Sequence, residues 1–296
     1  MLHFFKNHSQ GFCRALSCRR LNWSIVLLTG LIAGGCSTQQ SGTEFYQPLL
    51  AQSGKDVMWM PTSNNLVTEM LEIAKVNETD VVYDLGSGDG KIPIEAARRY
   101  GARAVGIEFN PDLAALARRH AQQAGVSDRV TIVTGDIFEE DFSNATVVTL
   151  YLLTKLNIKL KPSLLSMKPG TRIVSNTFLM GSWEPDENII ADGDVSGYLW
   201  IVPAKVDGNW SFSGLPGWPE AKIKLTQKSQ KFDGDLIFED SLKQRIEGRL
   251  RGAQLTFDYQ DRDNQRLSFD GIVSGNRIHG TIKQIPGSVI TATKVQ

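Results

Sequence analysis

Between positions 62 and 205 the apolar residues alternate between two spacings. Leu66, Met70, Leu71, Ile73 and Ala74 recur at helical spacing behind Thr62 or Ser63, which predicts a capped helix over 62–75. Val81–Tyr83 is a short apolar strand, and Lys91–Tyr100 a helix with Pro93 in its first turn. Ala104–Ile107 is a second strand. Asn110 caps the next helix, Pro111 opens it, Gly125 ends it, and Leu113, Leu116, Ala117 and Ala121 form its apolar face. Strands follow at Val130–Val133, Ala145–Leu152 and Thr171–Phe178, with a helix over Leu156–Met167 that Pro162 interrupts. Ala145–Leu152 is apolar enough to be buried on both faces. Strands alternating with helices predict an α/β domain with a parallel sheet and right-handed crossovers.

After about residue 206 the spacing becomes two. Ile223 with Leu225, then Leu255, Phe257 and Tyr259, then Leu267 with Phe269 alternate with polar neighbours. Asp207-Gly208, Asp233-Gly234, Asp270-Gly271 and Gly275-Asn276 are expected turns. A short repeat runs through this region. Ile246-x-Gly248-x-x-x-Gly252-x-x-Leu255 recurs 23 residues later as Phe269-x-Gly271-x-x-x-Gly275-x-x-Ile278, predicting two similar hairpins. The expected organisation is an α/β domain over 56–206 and a small antiparallel β-barrel or sandwich over 207–296.

Ahead of these lies a different composition. Lys6, Arg14, Arg19 and Arg20 are followed by an apolar run, Leu21–Gly35, too short for a comfortable membrane span. The run ends Ala33-Gly34-Gly35-Cys36. That resembles a bacterial lipoprotein signal in which the cysteine becomes the lipidated first residue, although Ala33 stands where leucine is usual. Residues 1–36 are therefore expected to be a signal or lipoprotein-like anchor and 37–55 a polar tether. The expected location is the membrane, on the periplasmic side if the signal is used and otherwise on the cytoplasmic face.

All three cysteines lie in the first 36 residues, and the four histidines lack ligand spacing, which leaves no protein-borne metal centre to expect. Lys+Arg and Asp+Glu are both 32, so the chain lacks the basic excess of a nucleic-acid binder.

The candidate chemistry centres on Asp84-Leu85-Gly86-Ser87-Gly88-Asp89-Gly90, directly after the first strand. A dinucleotide turn needs G-x-G-x-x-G, but position 91 is lysine; a phosphate loop needs a spacing that Gly86 and Lys91 do not have. What remains is G-x-G-x-G behind an acid. Glycines admit close backbone approach. A carboxylate at Asp84 suits a ligand with an ammonium and a sulfonium, while backbone N–H groups can meet a carboxylate. Glu108 ends the second strand 18 residues past Gly90, in the position that grips ribose hydroxyls. Phe109 can pack on adenine, and Asp136, beside Ile137 at the third strand end, can accept from its amino group. Asp84, Gly86, Ser87, Gly88, Gly90, Glu108, Phe109, Asp136 and Ile137 are thus the expected contacts of S-adenosylmethionine (SAM).

Residues 56 to about 206 resemble class I SAM-dependent methyltransferases. The narrower likeness is to the family that includes the mitochondrial lysine methyltransferases of the ATP synthase c-subunit and of the adenine nucleotide translocase, with bacterial relatives. It is carried by Met60-Pro61-Thr62, the Val81–Gly90 segment, Ala104–Glu108, Ala145–Leu153 with its Thr149-Leu150-Tyr151-Leu152-Leu153 end, Leu160-Lys161-Pro162 and Lys168–Arg172. The resemblance implies a Rossmann-like seven-stranded sheet with a final antiparallel strand at Tyr198–Val202. It also implies Asp84, Gly86, Glu108 and Asp136 as SAM contacts, and lysine methylation. The region after 206 lies outside the resemblance.

Methyl transfer needs proximity and alignment above all, and a lysine acceptor must also lose a proton. Tyr151, at the end of the fourth strand, is the candidate on the acceptor side, its alternative reading being a packed strand-end aromatic. Trp59 and Thr62 are secondary substrate-side candidates. His120 is expected in the core, and Trp183 either lines the cleft or pins a loop. Three functions remain open: a protein methyltransferase directed at lysine, a small-molecule or lipid methyltransferase at a membrane, and a non-enzymatic SAM-binding envelope lipoprotein.

Overall fold

The computed structural model describes residues 46–51, 55–56, 58–191, 194–238 and 242–295, all within one compact unit that starts at Phe45. The expected anchor, Cys36 and most of the expected tether lie outside the described residues.

Helix α1 (Asn64–Ile73) starts at Ser63, whose hydroxyl accepts from the Leu66 amide. It leads into β1 (Val81–Leu85), α2 (Lys91–Tyr100), β2 (Arg103–Glu108), α3 (Pro111–Gln123) and β3 (Val130–Thr134). Asn110 caps α3 by accepting from the amides of Asp112 and Leu113. Then come β4 (Val147–Leu150), α4 (Thr154–Ser166), β5 (Arg172–Asn176), β6 (Glu187–Ala191) and β7 (Asp194–Ile201). Among the described residues the sheet order is β3-β2-β1-β4-β5-β7-β6. The first five strands are parallel, β7 runs antiparallel to β5, and β6 antiparallel to β7. The sheet is the α/β, Rossmann-like one expected, with the antiparallel strand at 194–201 and a further edge strand beside it.

The strand pleat divides the core in two. Val82, Ala104, Val147 and Val174 pack under α1, α2 and α3. Leu85, Ile107, Val148 and Ile173 face the other way and pack under α4 with Trp183 and Trp200. β4 is buried along its whole length, as its composition requires. Helix α4 runs through Pro162 instead of breaking there. The donor that proline lacks would have met the Ile158 carbonyl, in a half-exposed turn, while buried Leu156, Leu160 and Leu164 hold the helix on both sides of it.

Strands β8 (Gly208–Leu215), β9 (Trp218–Lys228), β10 (Lys231–Phe238), β11 (Lys243–Arg251), β12 (Gln254–Gln260), β13 (Arg266–Ser274), β14 (Arg277–Ile282) and β15 (Ile285–Val295) form an antiparallel meander. β15 pairs with β8, so the described strands close a barrel. Its interior is filled by one cluster containing Trp210, Phe212, Phe232, Phe257, Tyr259 and Phe269, as expected of an eight-stranded barrel of this width. The internal repeat is the pair of hairpins β11–β12 and β13–β14, turning at Gly252 and Gly275. Two expected turns are corrected. Asp233-Gly234 and Asp270-Gly271 lie in mid-strand, paired on both sides. Those glycines give room to neighbours instead of turning the chain: a Cβ on Gly271 would stand 2.6 Å from the Phe269 ring, and one on Gly234 2.4 Å from the Lys224 carbonyl oxygen. Gly248 likewise lies under Phe232. The barrel docks beside β6. Arg249 pairs with Asp186 at 2.9 Å, Lys231 with Glu184 at 2.7 Å, and Arg251 with Glu187. Asp186, its side chain 2% exposed, also accepts from the Ile201 amide and so ties barrel to sheet.

Candidate functional site

The parallel strands bring Asp84, Glu108 and Asp136 to one edge of the sheet, at or just past the carboxyl ends of β1, β2 and β3. These strands are neighbours in the order β3-β2-β1, so the acids form a row. The loop after β1 folds back onto β2: the amides of Gly86 and Ser87 both donate to the Ile107 carbonyl, at 2.9 and 3.0 Å. Gly88 has a φ of +54° and faces the Trp59 indole, whose Nε1 would lie 2.7 Å from a Cβ there. A side chain is excluded on both counts.

Asp84 is 3% exposed. Burial pushes its carboxyl up to about 7; Glu108 and Asp89 add repulsion, and the Thr149 hydroxyl opposes them by donating to Oδ1 at 2.7 Å. The two oxygens of Glu108 are divided between loops. Oε2 accepts from the Gly88 amide and Oε1 from the Asn110 amide, both at 2.8 Å. Glu108 therefore fixes the glycine loop against the start of α3 while still lining the cleft. Asp136 accepts from the Phe138 amide at 3.0 Å and from Lys55 Nζ at 2.6 Å, and its pKa is held low first by Lys55 and then by that amide. Phe109 is 50% exposed, with the Lys55 ammonium 4.8 Å from its ring centroid.

These groups surround a cleft that is partly open to solvent. Every residue expected from the sequence lies in or beside it. Asp84, Gly86, Ser87, Gly88, Glu108, Phe109, Asp136 and Ile137 line it, and Gly90 caps α2 behind the loop. Trp59 and Thr62 line it from the segment ahead of α1, where the Thr62 carbonyl accepts from Lys91 Nζ at 2.7 Å. Tyr151 lines the side beyond β1, its ring stacked on Phe178 at 6.3 Å. Trp183 is fully buried and gives its carbonyl to the Trp200 indole, so it belongs to the core. His120 is only half-buried, with Nδ1 3.0 Å from the Asp89 carbonyl oxygen.

Sequence reasoning missed Lys55, Lys91, Thr149 and Phe178. Thr149 and Lys91 had a signal, as residues at a strand end and directly behind the loop. Lys55 had none, because its polar surroundings resemble a tether.

The cleft suits a nucleoside ligand that carries positive charge. Among the described residues its lining holds five carboxylates (Asp56, Asp84, Asp89, Glu108 and Asp136) against two lysines (Lys55 and Lys91). A pyrophosphate would meet repulsion there; a sulfonium and an ammonium meet attraction. Ser87 Oγ is buried against Gly106 of β2, without a hydrogen-bond partner among the described residues.

Comparison with known proteins agrees. Residues 84–187 match the family described as the ANTKMT methyltransferase domain. The chain is 46% identical over 151 residues to a protein-lysine N-methyltransferase of Saccharolobus islandicus, covering 49% of this chain and 94% of that protein. It is 29% identical over 172 residues to the mouse lysine N-methyltransferase of the ATP synthase C-subunit, covering 57% and 68%. Among solved structures it is similar to an RNA methyltransferase from Salinibacter ruber in complex with S-adenosyl-L-homocysteine, at 53% identity, with 50% and 96% covered and a TM-score of 0.48.

Proposed function

Because this chain belongs to the SAM-dependent protein-lysine N-methyltransferase family, we propose that it methylates the side-chain amine of a lysine in a protein at a membrane. The observation that carries the site assignment is the row of carboxylates at the ends of β1, β2 and β3, with Tyr151 on the far side of β1. When bound, SAM supplies a methyl group made electrophilic by its sulfonium. Asp84 would attract the cofactor's cationic end, Glu108 would meet the ribose while holding the Gly88 loop, and Asp136 and Phe109 would receive adenine. Lys91, which lines the cleft beside the glycine loop, would supply positive charge for the amino-acid carboxylate. Tyr151 borders the path of the acceptor amine, where its hydroxyl accepts a hydrogen bond from the incoming nitrogen and its ring excludes water. Alignment of this kind can supply about 7–11 kcal/mol of a displacement barrier.

Support for a membrane setting comes from the basic stretch, the Leu21–Gly35 run and Cys36, which fit a lipidated anchor. It also comes from the mouse relative, which is named for a component of ATP synthase. The test is to incubate the full chain with tritiated SAM and membranes of its source cells. Label in a protein band, recovered as methyl-lysine after hydrolysis, is expected. Label extracted with lipid, or removed by ribonuclease, would overturn the protein acceptor. Cys36→Ser is expected to release the chain from membranes, and unchanged partitioning would count against lipidation.

A further inference from the structure

Phe178 follows β5, one strand beyond Tyr151. Its amide donates to the Asn176 carbonyl at 2.7 Å, closing a three-residue turn centred on Thr177. Thr177 sits at a φ of +60°, a region that β-branched residues avoid. Such strain persists only where the surroundings enforce it, and here they do. The Phe178 carbonyl accepts from Ser175 Oγ at 2.8 Å and from Asn157 Nδ2 at 3.0 Å. Asn157 is fully buried on α4 and also reaches Ser175 Oγ at 3.1 Å, while its own Oδ1 has no partner among the described residues. A strained threonine and a half-satisfied buried asparagine both act against stability, and the sheet requires neither. What they achieve is local: the Phe178 ring is held half-buried and stacked, with 29° between the ring planes, against Tyr151, which lines the cleft.

We propose that Phe178 determines acceptor specificity. With Tyr151 it forms an aromatic wall along which the acceptor lysine's methylenes and ammonium pack, and Asn157 and Ser175 are its positioning residues. This rests on the protein-lysine reading above. The test compares wild type with Phe178→Leu, Phe178→Tyr and Asn157→Ala. It uses tritiated SAM, source-cell membranes as the acceptor, calorimetric SAM binding and thermal melting. Phe178→Leu keeps the apolar bulk and removes the ring face. It is expected to raise the apparent KM for membrane protein about tenfold while SAM affinity stays within about twofold. Phe178→Tyr is expected to restore wild-type KM, and Asn157→Ala to raise KM without changing SAM affinity. An unchanged KM in Phe178→Leu, or an equal loss of SAM affinity, overturns the proposal. Absence of any labelled protein with wild type would sink the protein-acceptor reading, and this proposal with it.

At the opposite end of the cleft the chain places a cation of its own. Lys55 Nζ stands 2.6 Å from Asp136 Oδ2 and 4.8 Å from the Phe109 centroid. Those two groups are the ones to which adenine would offer its amino group and its face, and an ammonium satisfies both in the same way. We infer that Lys55 is an internal competitor of the cofactor, displaced when SAM enters. This inference depends on the SAM reading and is independent of the acceptor. Calorimetric titration of the full chain with SAM tests it. Lys55→Ala is expected to bind SAM about three- to tenfold tighter, since a competing internal state lowers apparent affinity by its population. Lys55→Arg is expected to behave as wild type. Added salt should weaken SAM binding less in wild type than in Lys55→Ala, because in wild type it also screens the competing Lys55–Asp136 pair. Equal or weaker binding by Lys55→Ala overturns the inference. If wild type itself fails to bind SAM, the cofactor assignment falls first.

Discussion

Thr149 donates to Asp84 at 2.7 Å across the β1–β4 pair, the hydrogen bond by which the sheet restrains an otherwise buried carboxyl. Burial is the largest influence on Asp84 and raises its pKa from 3.8 to about 7. The sign follows directly. Between those values the folded state holds a proton that the unfolded state has released, so ligand-free stability falls as pH rises through that window and levels off above it. SAM, being cationic, calls for the carboxylate, so its affinity is expected to rise as pH passes 7. Asp84→Asn should flatten both curves, and Thr149→Val should move the affinity curve to higher pH. Melting and titration on either side of pH 7 check this; an Asp84→Asn chain that keeps the wild-type pH dependence would refute it.

Glu108→Ala should weaken SAM binding about tenfold or more. It removes a charged acceptor from the Gly88 and Asn110 amides as well as a ligand for the ribose, and hydrogen bonds to a charged group are worth about 1.5–3 kcal/mol each. Glu108→Gln offers an oxygen to only one of the two amides and should recover part of the affinity. Calorimetry resolves the order wild type, Gln, Ala, and any other order counts against this role.

Arg172 pairs with Asp80 and also donates to the Ala74 carbonyl at 2.8 Å, joining the ends of α1, β1 and β5 far from the cleft. Burial alone would raise the Asp80 carboxyl. The Arg172 guanidinium, the Thr146 hydroxyl and the Asn77 amide together hold it below its ordinary value. Its contribution to stability is therefore present above pH 3.8 and lost as pH falls through the lower folded value. Arg172→Ala leaves Asp80 buried and unpaired and should cost about 3 kcal/mol, with SAM affinity per folded molecule unchanged. Chemical denaturation gives the first quantity and titration the second.

Gly271→Ala places a methyl group against the Phe269 ring and should cost about 1–3 kcal/mol by overpacking. The double substitution Gly271→Ala with Phe269→Leu should melt above Gly271→Ala alone. If the two losses simply add, the ring is not the obstacle.

The α/β half was legible because its two spacings are long and unmixed, and because Asn110 with Pro111 and Ser63 mark helix starts by their own chemistry. The row of acids was legible for the same reason: parallel strands carry residues at equivalent strand ends to one edge. Asp233-Gly234 and Asp270-Gly271 misled because a glycine gives the same signal whether it turns the chain or makes room for a ring. Between β9 and β10 the left-handed position is taken instead by Ser229, at a φ of +54°. Lys55 and Phe178 were invisible because their partners are 81 and 27 positions away and belong to no period.

The pairing of β15 with β8, from Thr291 opposite Ser213 to Val295 opposite Asn209, sets a timetable for synthesis. The strands that carry the cleft are complete by Ile201, whereas the barrel can close only when the ribosome has delivered β15. A chain lacking that strand would expose β8 and β14 as two adhesive edges. Strand β15 thus serves as the seal on both of those edges.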